Sequence, residues 1–351
     1  MRRQTTTALP TRPEDIDRDW LASALGVEVK GVEVVDIMHG ASTKLRLRID
    51  ADDPSIPPTL ILKGGFEPHS STLGHMYAIE ARFYRDVARA LPIRCPRSWF
   101  AQVDPDGYRS IILMEDLTLA GVNFCHASRP QGFEAVARRL KAMARYHAAS
   151  WNDRRFAPGG EWADIVSRFD NPAVLGWIDQ YTSESVLRRY LDSPRAAALS
   201  SRYHDRHWLR SAMLRVGEIE REGAICLIHG DTHLGNCYVE SDGTPGFYDM
   251  QIARASPFVE VSYHVIGALD LADRARFEKP LLALYLDALA GEGVDAPDFD
   301  TAWLAYRRSI VVGLFIFLIN DNAFQTEWVN TANTARYAAA AVDHDLARLM
   351  P

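Results

Sequence analysis

The 351-residue chain lacks features that mark several specialised classes of protein. It has only four cysteines, at positions 95, 125, 226 and 237, and none of them forms a C-x-x-C pair. Reduced thiols in a cytoplasmic protein are therefore the simplest interpretation. The chain has no run of lysines and arginines, and its net charge of −7 argues against a nucleic-acid partner.

Long apolar runs are also missing. The longest, Ile310 to Ile319, is shorter than the roughly 20 residues that span a bilayer, and it is expected to form a buried helix. The N-terminal stretch "MRRQTTTALP" has no apolar segment of the signal-peptide kind. We therefore predict no membrane partner. Because the chain is longer than one hydrophobic core usually holds, we expect two lobes.

The character of the sequence changes near residue 115. Before that point, short strand-like runs are separated by turn signals such as "DPDG" at 104–107, and one helix interrupts them. After residue 129 the apolar residues recur mostly at helical spacing. This pattern predicts an α+β protein with a small β-rich N-terminal lobe and a larger helical C-terminal lobe.

The segment "LIHGDTHLGNCYV", residues 227–239, places close-set polar residues between two apolar runs. It is followed by a turn at Asp242–Gly243 and by "GFYDMQ", which we predict to be a strand ending in a carboxylate. The spacing D-x-x-x-x-N with a later strand-borne aspartate is the arrangement that kinases use. In phosphoryl transfer the first aspartate accepts the hydroxyl proton, while the asparagine and the second aspartate bind magnesium.

A kinase also needs a strand lysine and a helix glutamate that holds it. Lys63 ends the apolar strand "LILK". Glu80 lies in the following helix on the apolar face, since Phe83, Tyr84 and Val87 are its i+3, i+4 and i+7 neighbours. An isolated buried charge is very costly, so we expect Glu80 to pair with Lys63. A solvated surface glutamate is the alternative.

The motifs "HGDTHLGN" and "YDMQ" together resemble the signature of the aminoglycoside phosphotransferase and choline kinase-like superfamily, whose members are relatives of the protein kinases. The glutamine after the second aspartate resembles the ecdysteroid-kinase-like branch most. The resemblance implies a bilobal protein-kinase-like fold that uses ATP and Mg²⁺. It implies a nucleotide-binding lobe at 1–113, a hinge at 114–120 and a catalytic, substrate-binding lobe at 121–351.

The resemblance also implies residue roles. Asp231 is similar to the catalytic base, and Asn236 and Asp249 to the magnesium ligands. Lys63 resembles the phosphate-binding lysine, with Glu80 as its ion-pair partner. His229 precedes the base and is expected to hold the loop in shape, and His233 to touch the substrate or Asp231.

Two further segments carry implied roles. "MHGAST" resembles a reduced glycine-rich loop, which implies phosphate contacts from backbone amides near Ser42 and Thr43. "ILMEDL" resembles the hinge, which implies adenine binding at Met114, Glu115 and Leu117. Glu260 stands where relatives commonly have an aspartate that orients the catalytic loop.

Other interpretations of these residues remain open. His229 and His233, at i and i+4, have the spacing of zinc ligands, although a helix and a glutamate base are missing. Cys237 is expected to be a small buried filler and His147 a hydrogen-bonded core histidine. A catalytically inactive, nucleotide-binding pseudokinase is the non-enzyme alternative.

The acceptor is predicted to be a small hydroxylated molecule. The late helices, residues 305–330, are rich in apolar residues, and Arg307 and Arg308 balance Asp321 and Glu327. A polycationic sugar would need a carboxylate-lined site. This composition favours a largely apolar alcohol, with or without an anionic end. Core packing would also explain the apolar residues, and an aminoglycoside or another antibiotic is the alternative acceptor.

Overall fold

The computed structural model describes residues 8–104 and 109–350. The predicted "DPDG" turn falls mainly on residues 105–107, outside the described ranges. The chain divides into two compact units, Met1–Val122 with Tyr248–Gln251, and Asn123–Phe247 with Ile252–Pro351. The sequence-based division assigned Tyr248–Gln251 to the C-terminal lobe, whereas these residues belong to the first unit. The predicted hinge at 114–120 also lies within the first unit.

The first unit is built on a five-stranded antiparallel sheet with the strand order β1-β2-β3-β5-β4. Its helices and strands are α1 Arg18–Leu25, β1 Val29–Met38, β2 Thr43–Ala51, β3 Thr59–Gly64, α2 Ser70–Arg82, β4 Ser98–Val103 and β5 Ser110–Glu115. A single π turn, Phe83–Val87, continues α2. This turn and the end of α2 bury Glu80, Phe83 and Tyr84, so Glu80 lies on the apolar face as predicted, while Ile79 is only half-buried.

Alternation of side chains along β3 gives the sheet two different faces. Leu60 and Leu62 are fully buried and belong to the same apolar cluster as Leu45, Leu47 and Leu21. Burying one such leucine contributes roughly 1.5–3 kcal/mol. The residue after Leu62 must point to the opposite face, so the strand period places Lys63 away from this cluster.

The second unit is mostly helical, with two small sheets in the orders β10-β7 and β6-β8-β9. Its strands are β6 Asn123–Phe124, β7 Cys226–Ile228, β8 Cys237–Val239, β9 Pro245–Phe247 and β10 Ala253–Ala255. Its helices are α3 Phe133–Ala148, α4 Pro172–Tyr181, α5 Glu184–Leu191, α6 Arg206–Glu220, α7 Pro257–Ala268, α8 Leu271–Gly291, α9 Phe299–Arg308, α10 Ile310–Ile319, α11 Glu327–Asp343 and α12 Leu346–Leu349. Every residue of α7 is buried, so this helix lies at the centre of the unit.

The helical stretch Phe299–Ile319 is long and apolar enough, by length and composition, to cross a membrane. Within its most apolar window, 67% is buried inside the protein. Buried core helices of soluble proteins have similar length and composition, so this stretch by itself is weak evidence for a membrane span.

Candidate active site

The first unit holds a buried lysine between two carboxylates. The Nζ atom of Lys63 lies 2.6 Å from Oε2 of Glu80 and 2.6 Å from Oδ1 of Asp249. The side chains of Lys63 and Glu80 are only 7% and 3% exposed, whereas that of Asp249 is 32% exposed. The structure therefore brings together three of the residues that the sequence assigned to phosphate and metal binding.

Burial and charge act against each other in this cluster. Burial alone would lower the pKa of Lys63, but the two carboxylates outweigh it and raise that pKa above its ordinary value. Burial raises the pKa of Glu80 to about 6 despite the attraction of Lys63. The Oε1 atom of Glu80 has no hydrogen-bond partner among the described residues, which is consistent with that cost. Lys63 is therefore held in its charged form.

Lys44 is a second cation beside this cluster that the sequence did not single out. It faces Lys63 across the β2–β3 ladder and is half-buried. Burial, and then the charge of Lys63, lower the pKa of Lys44. The only sequence signal was its place in the strand "KLRLRI" next to "MHGAST". The charges of the two lysines therefore balance those of Glu80 and Asp249 in this part of the first unit.

Asp249 does not end a strand as predicted. The strand β9 ends at Phe247, and Asp249 has a φ of +62°. Aspartate is one of the few non-glycine residues that tolerate this left-handed conformation, which still carries backbone strain of roughly 1–3 kcal/mol. Such strain is common at functional sites, and here it occurs at the carboxylate that contacts Lys63.

The predicted phosphate loop is fixed by side chains. Ser42 and Thr43 are buried, and the Thr43 hydroxyl donates a 2.7 Å hydrogen bond to Oε1 of Glu67. The carbonyl of Ala41 accepts a hydrogen bond from the Tyr77 hydroxyl. The Thr43 hydroxyl therefore already has an acceptor, and the predicted phosphate contact of the backbone amides stays a prediction.

The predicted adenine-binding segment continues from β5. Met114 and Leu117 are each 7% exposed. The amide of Glu115 donates to the carbonyl of Arg97 over 2.8 Å, so this amide is not available to adenine. Asp116, which the sequence reasoning did not single out, is buried and accepts hydrogen bonds from Nε of Arg46 at 3.0 Å and from the Thr118 hydroxyl at 2.5 Å. These contacts fix the turn after Glu115.

The second unit holds the predicted base. Oδ1 of Asp231 accepts a 2.8 Å hydrogen bond from the Tyr263 hydroxyl, and Oδ2 accepts a 3.0 Å hydrogen bond from Nδ2 of Asn236. Nδ2 of Asn236 also donates to the backbone carbonyl of Asp231 over 2.9 Å. The Asp231 side chain is 30% exposed, so a substrate hydroxyl can reach it. Because both of these hydrogen bonds come from Nδ2 of Asn236, its Oδ1 is the atom that is left for the predicted metal contact.

Glu260 fixes the backbone before the base. Its Oε1 accepts from the amide of Gly230 at 2.9 Å, and its Oε2 accepts from the amide of His229 at 3.2 Å. Oε2 also accepts hydrogen bonds from Nε2 of His147 at 2.8 Å and from the Tyr146 hydroxyl at 2.6 Å. Burial would raise the pKa of Glu260, but the hydrogen bond from His147 and the neighbouring imidazoles outweigh it and lower that pKa to about 2. The glutamate thus orients the loop.

The two loop histidines use one ring nitrogen each within the loop. Nδ1 of His229 accepts from the amide of Asp231 at 3.2 Å, and Nδ1 of His233 accepts from the amide of Gly235 at 3.0 Å. Nε2 of His233 lies 3.6 Å from Oδ2 of Asp231. Across residues 8–104 and 109–350, no three His, Cys, Asp or Glu side chains form a group that could hold a metal ion.

Buried, structural roles are confirmed for two residues. His147 is fully buried and hydrogen-bonded to both Tyr285 and Glu260. Cys237 is fully buried as well, and burial raises the pKa of its thiol to about 12. Tyr263 was missed by the sequence reasoning. Its only signal was its spacing three residues after Glu260, which places both on one face of α7.

A large cavity of the second unit lies away from the loop that holds Asp231. It has a volume of about 740 Å³ and is lined by Asn152, Ser256, Phe258 and Arg308, among others. Asn152 bonds to Ile225, just before β7 begins, whereas the Asp231 loop follows the other end of β7. The cavity therefore lies at the end of β7 opposite the loop, and Arg308, one of the two arginines in the charge balance of the late helices, lines it.

Comparison with known proteins identifies the family. The sequence model of the phosphotransferase enzyme family matches residues 66–299. The chain belongs to the phosphotransferase enzyme family and is a phosphotransferase with an alcohol group as acceptor. No curated protein matches the sequence significantly. The assignment to the ecdysteroid-kinase-like branch stays a prediction.

Solved structures show the fold. Spectinomycin phosphotransferase APH(9)-Ia, in complex with ADP and spectinomycin, is 13% identical with a TM-score of 0.55, covering 96% of this chain and 100% of its own. The choline kinase LicA from Streptococcus pneumoniae is 11% identical with a TM-score of 0.52, covering 94% and 99%. APH(2″)-IIIa, in complex with GDP and kanamycin, is 12% identical with a TM-score of 0.52, covering 92% and 97%. The predicted α+β fold class is confirmed.

Proposed function

We propose that this protein is an ATP- and magnesium-dependent kinase that phosphorylates a hydroxyl group of a largely apolar small molecule, with or without an anionic end. The observation that carries the proposal is the desolvated Lys63, charged and held at 2.6 Å from both Glu80 and Asp249. A purely structural ion pair needs only one carboxylate. A second carboxylate, on a strained backbone and partly exposed, suits a group that exchanges its lysine contact for a metal and phosphates.

Magnesium fits the available donors. The Asp249 carboxylate and the Asn236 amide oxygen are hard oxygen ligands of the type this ion prefers. Magnesium usually keeps several waters and binds phosphate oxygens as well, so it needs few protein ligands. When bound, it would neutralise charge on the phosphates of ATP.

The remaining steps fall to residues of the chain. Lys63 and the amides near Ser42 and Thr43 would bind the phosphates of ATP. Asp231 would accept the acceptor's hydroxyl proton as the acceptor oxygen bonds to the γ-phosphorus. The bond from that phosphorus to the bridging β-γ oxygen breaks, and ADP leaves with the electron pair. Asn236 and Tyr263 would hold the Asp231 carboxylate in position for this transfer.

Charge pairing in the second unit supports an acceptor that is not a polycation. Asp321 lies 3.9 Å from Arg189, and Glu327 lies 2.5 Å from Arg195. These are the two carboxylates that the late helices offered, and each already has an arginine partner. A polycationic sugar would have to compete with those arginines for them.

The segment "EWADIVSRFDNP", residues 161–172, also offered three carboxylates to a cation. One of them, Asp170, lies 2.9 Å from Arg221 and 3.3 Å from Arg254. Its charge is therefore compensated within the unit. The guanidinium of Arg307, in the late helices, donates to the carbonyl of His344.

An apolar surface lies close to the base loop instead. Nε2 of Gln325 is 3.1 Å from Nε2 of His233. Phe324, directly before Gln325, is 36% exposed, and Trp328, three residues after Gln325, is 48% exposed. Exposed aromatic side chains beside a binding residue contribute roughly 25 cal/mol per Å² of apolar surface that a ligand covers. An apolar alcohol is therefore favoured as the acceptor.

Calorimetry with ATP, in the presence and absence of magnesium, tests the kinase proposal. We expect binding that strengthens with magnesium, and no binding under either condition would overturn the proposal. Release of ADP is then scored for kanamycin, choline and hydrophobic secondary alcohols at equal concentration. Turnover of the alcohols supports the proposed acceptor class. Turnover of kanamycin alone would establish the aminoglycoside alternative, and nucleotide binding without any turnover would favour a pseudokinase.

A further inference from the structure

Arg168 contacts the backbone immediately before the proposed base, Asp231. Its Nη2 donates a hydrogen bond to the carbonyl of Gly230, the residue that precedes Asp231. The side chain is half-buried, and among the described residues no carboxylate lies within 4 Å of the guanidinium. Arginine has five N–H donors, so most of them are left for another acceptor.

Other charged groups near Arg168 do not neutralise it. Asp170 is two residues away but is paired with Arg221 and Arg254. Glu220 is buried and accepts from the Ser167 hydroxyl at 3.1 Å. Burial raises the pKa of Glu220 to about 7, with Arg168 acting in the opposite direction. Glu220 lines the same small cavity as Arg168, but no carboxylate forms an ion pair with Arg168 within 4 Å in the described ranges. Arg168 contacts the carbonyl of the residue just before Asp231.

Arg168 also lines a small apolar cavity. The cavity has a volume of about 40 Å³, and its walls include Phe169, Trp177, Val312 and Ile316. A water molecule occupies roughly 30 Å³ of liquid, so the cavity has room for a methyl- or ethyl-sized group. Apart from Arg168 and Glu220, its lining is apolar, which favours such a group over water.

We propose that Arg168 is an acceptor-binding residue that takes an anionic oxygen group of the substrate, so that the acceptor is a small hydroxy acid whose alkyl branch enters the adjacent cavity. The inference rests on the proposed function and names its substrate class. A planar carboxylate matches the guanidinium in a bidentate geometry. The alternative is that Arg168 serves only to hold the Gly230 peptide, which has a φ of +88°.

The test uses 3-hydroxybutyrate and 3-hydroxypentanoate, each beside its methyl ester, which keeps the shape and removes the charge. Binding is measured by calorimetry with the full chain, magnesium and a non-hydrolysable ATP analogue, and ADP release is measured with ATP. We expect each acid to bind at least roughly tenfold more tightly than its ester, as befits a charge-assisted hydrogen bond.

Three variants assign the effect to the residue. Arg168→Gln should remove the preference for acid over ester, and Arg168→Lys should keep part of it because the charge remains. Arg188→Gln is the matched control, since Arg188 is an exposed arginine of the same unit whose ion-pair partner is Asp192, and it should keep the preference in full.

Two results would overturn the inference. One is a wild-type protein in which neither acid binds better than its ester. The other is an Arg168→Gln variant that weakens acid and ester by the same factor, which is the signature of a purely structural role. A protein that binds ATP with magnesium but shows either result loses only this inference. Failure to bind ATP at all would overturn the proposed function as well.

Discussion

The Tyr263 hydroxyl donates a 2.8 Å hydrogen bond to Oδ1 of Asp231. Tyr263 lies on the fully buried helix α7, and its ring stacks on Phe317 with centroids 5.6 Å apart. Burial raises the pKa of the Tyr263 phenol well above its ordinary value, so it remains a donor at physiological pH. Together with Asn236 on the other oxygen, it fixes the plane of the Asp231 carboxylate.

We expect Tyr263→Phe to lower kcat roughly 10- to 100-fold, because it removes a hydrogen bond to a charged group. Magnesium-dependent ATP affinity should not change, since the hydroxyl contacts only Asp231 among the proposed site residues. Steady-state kinetics and calorimetry measure the two effects. Tyr203→Phe is the control, because the Tyr203 hydroxyl is also buried but donates to the carbonyl of Ala341. An equal loss of kcat in both variants would contradict the prediction.

Asp231→Asn should leave ATP affinity nearly intact and lower turnover by roughly 10²–10⁴-fold, the usual contribution of general-base catalysis. The amide retains the shape of the carboxylate but cannot accept the hydroxyl proton. Single-turnover measurement of ADP formation with an accepted substrate tests this. Near-normal turnover in the variant would show that another group is the base.

Asp249→Asn should weaken magnesium-dependent ATP binding at least roughly tenfold while leaving the fold intact. Asparagine tolerates the left-handed backbone at this position, so strain is not increased, whereas alanine would add strain. Calorimetry with and without magnesium separates metal binding from nucleotide binding. If the difference between the two conditions is as large as in the wild type, Asp249 is not a metal ligand.

Lys63→Met should lower the free energy of unfolding by about 3–5 kcal/mol, because it leaves Glu80 and Asp249 close together without a cation. Adding Glu80→Gln to this variant should recover part of the loss, giving a coupling free energy of about 0.5–3 kcal/mol. Urea unfolding measures both. Lys44→Met is the control, since no ion pair within 4 Å is found for Lys44 among the described residues, and its loss should be smaller.

The lowered pKa of Glu260 predicts that the protein loses stability in acid. Its pKa in the folded protein, about 2, is below the ordinary value of 4.5, so its contribution is present above about pH 4.5 and is lost as the pH falls towards 2. We expect Glu260→Gln to be less stable than the wild type at pH 7, with the difference shrinking between pH 4.5 and 3. Urea unfolding at these three pH values measures it. A difference that stays constant would contradict the assignment.

The pKa of Glu220 is shifted in the opposite direction to that of Glu260, so its effect on stability should have the opposite dependence on pH. Its pKa is raised to about 7 by burial, so the stability that it contributes is present below about pH 4.5 and lost as the pH rises through 7. Glu220→Gln should therefore gain stability relative to the wild type between pH 5 and 8.5. Urea unfolding of both proteins at pH 5, 7 and 8.5 measures the difference, and a difference that does not grow with pH would contradict the assignment.

Local sequence patterns determined a large part of the first unit. The strand-like runs predicted before residue 115 include "VKGVEVVDIM", which forms β1, Val29–Met38, and "LILK", which lies within β3. Alternation of apolar residues with period two is a property of neighbouring residues, so it is legible without the fold. The same holds for Glu80, whose place on the apolar face of α2 followed from helical spacing.

Only the tertiary structure decided which side chains meet. Tyr263 is 32 residues after Asp231, and Arg168 is 62 residues before Gly230. Long-range pairing also neutralises Asp321 and Glu327 with Arg189 and Arg195, a partnership that a local charge count does not show. The sequence determined that a base, two oxygen ligands and a strand lysine exist in kinase-like spacing. The partners of those groups, and the backbone strain at Asp249, depend on packing between segments far apart in the chain, which local periodicity does not encode.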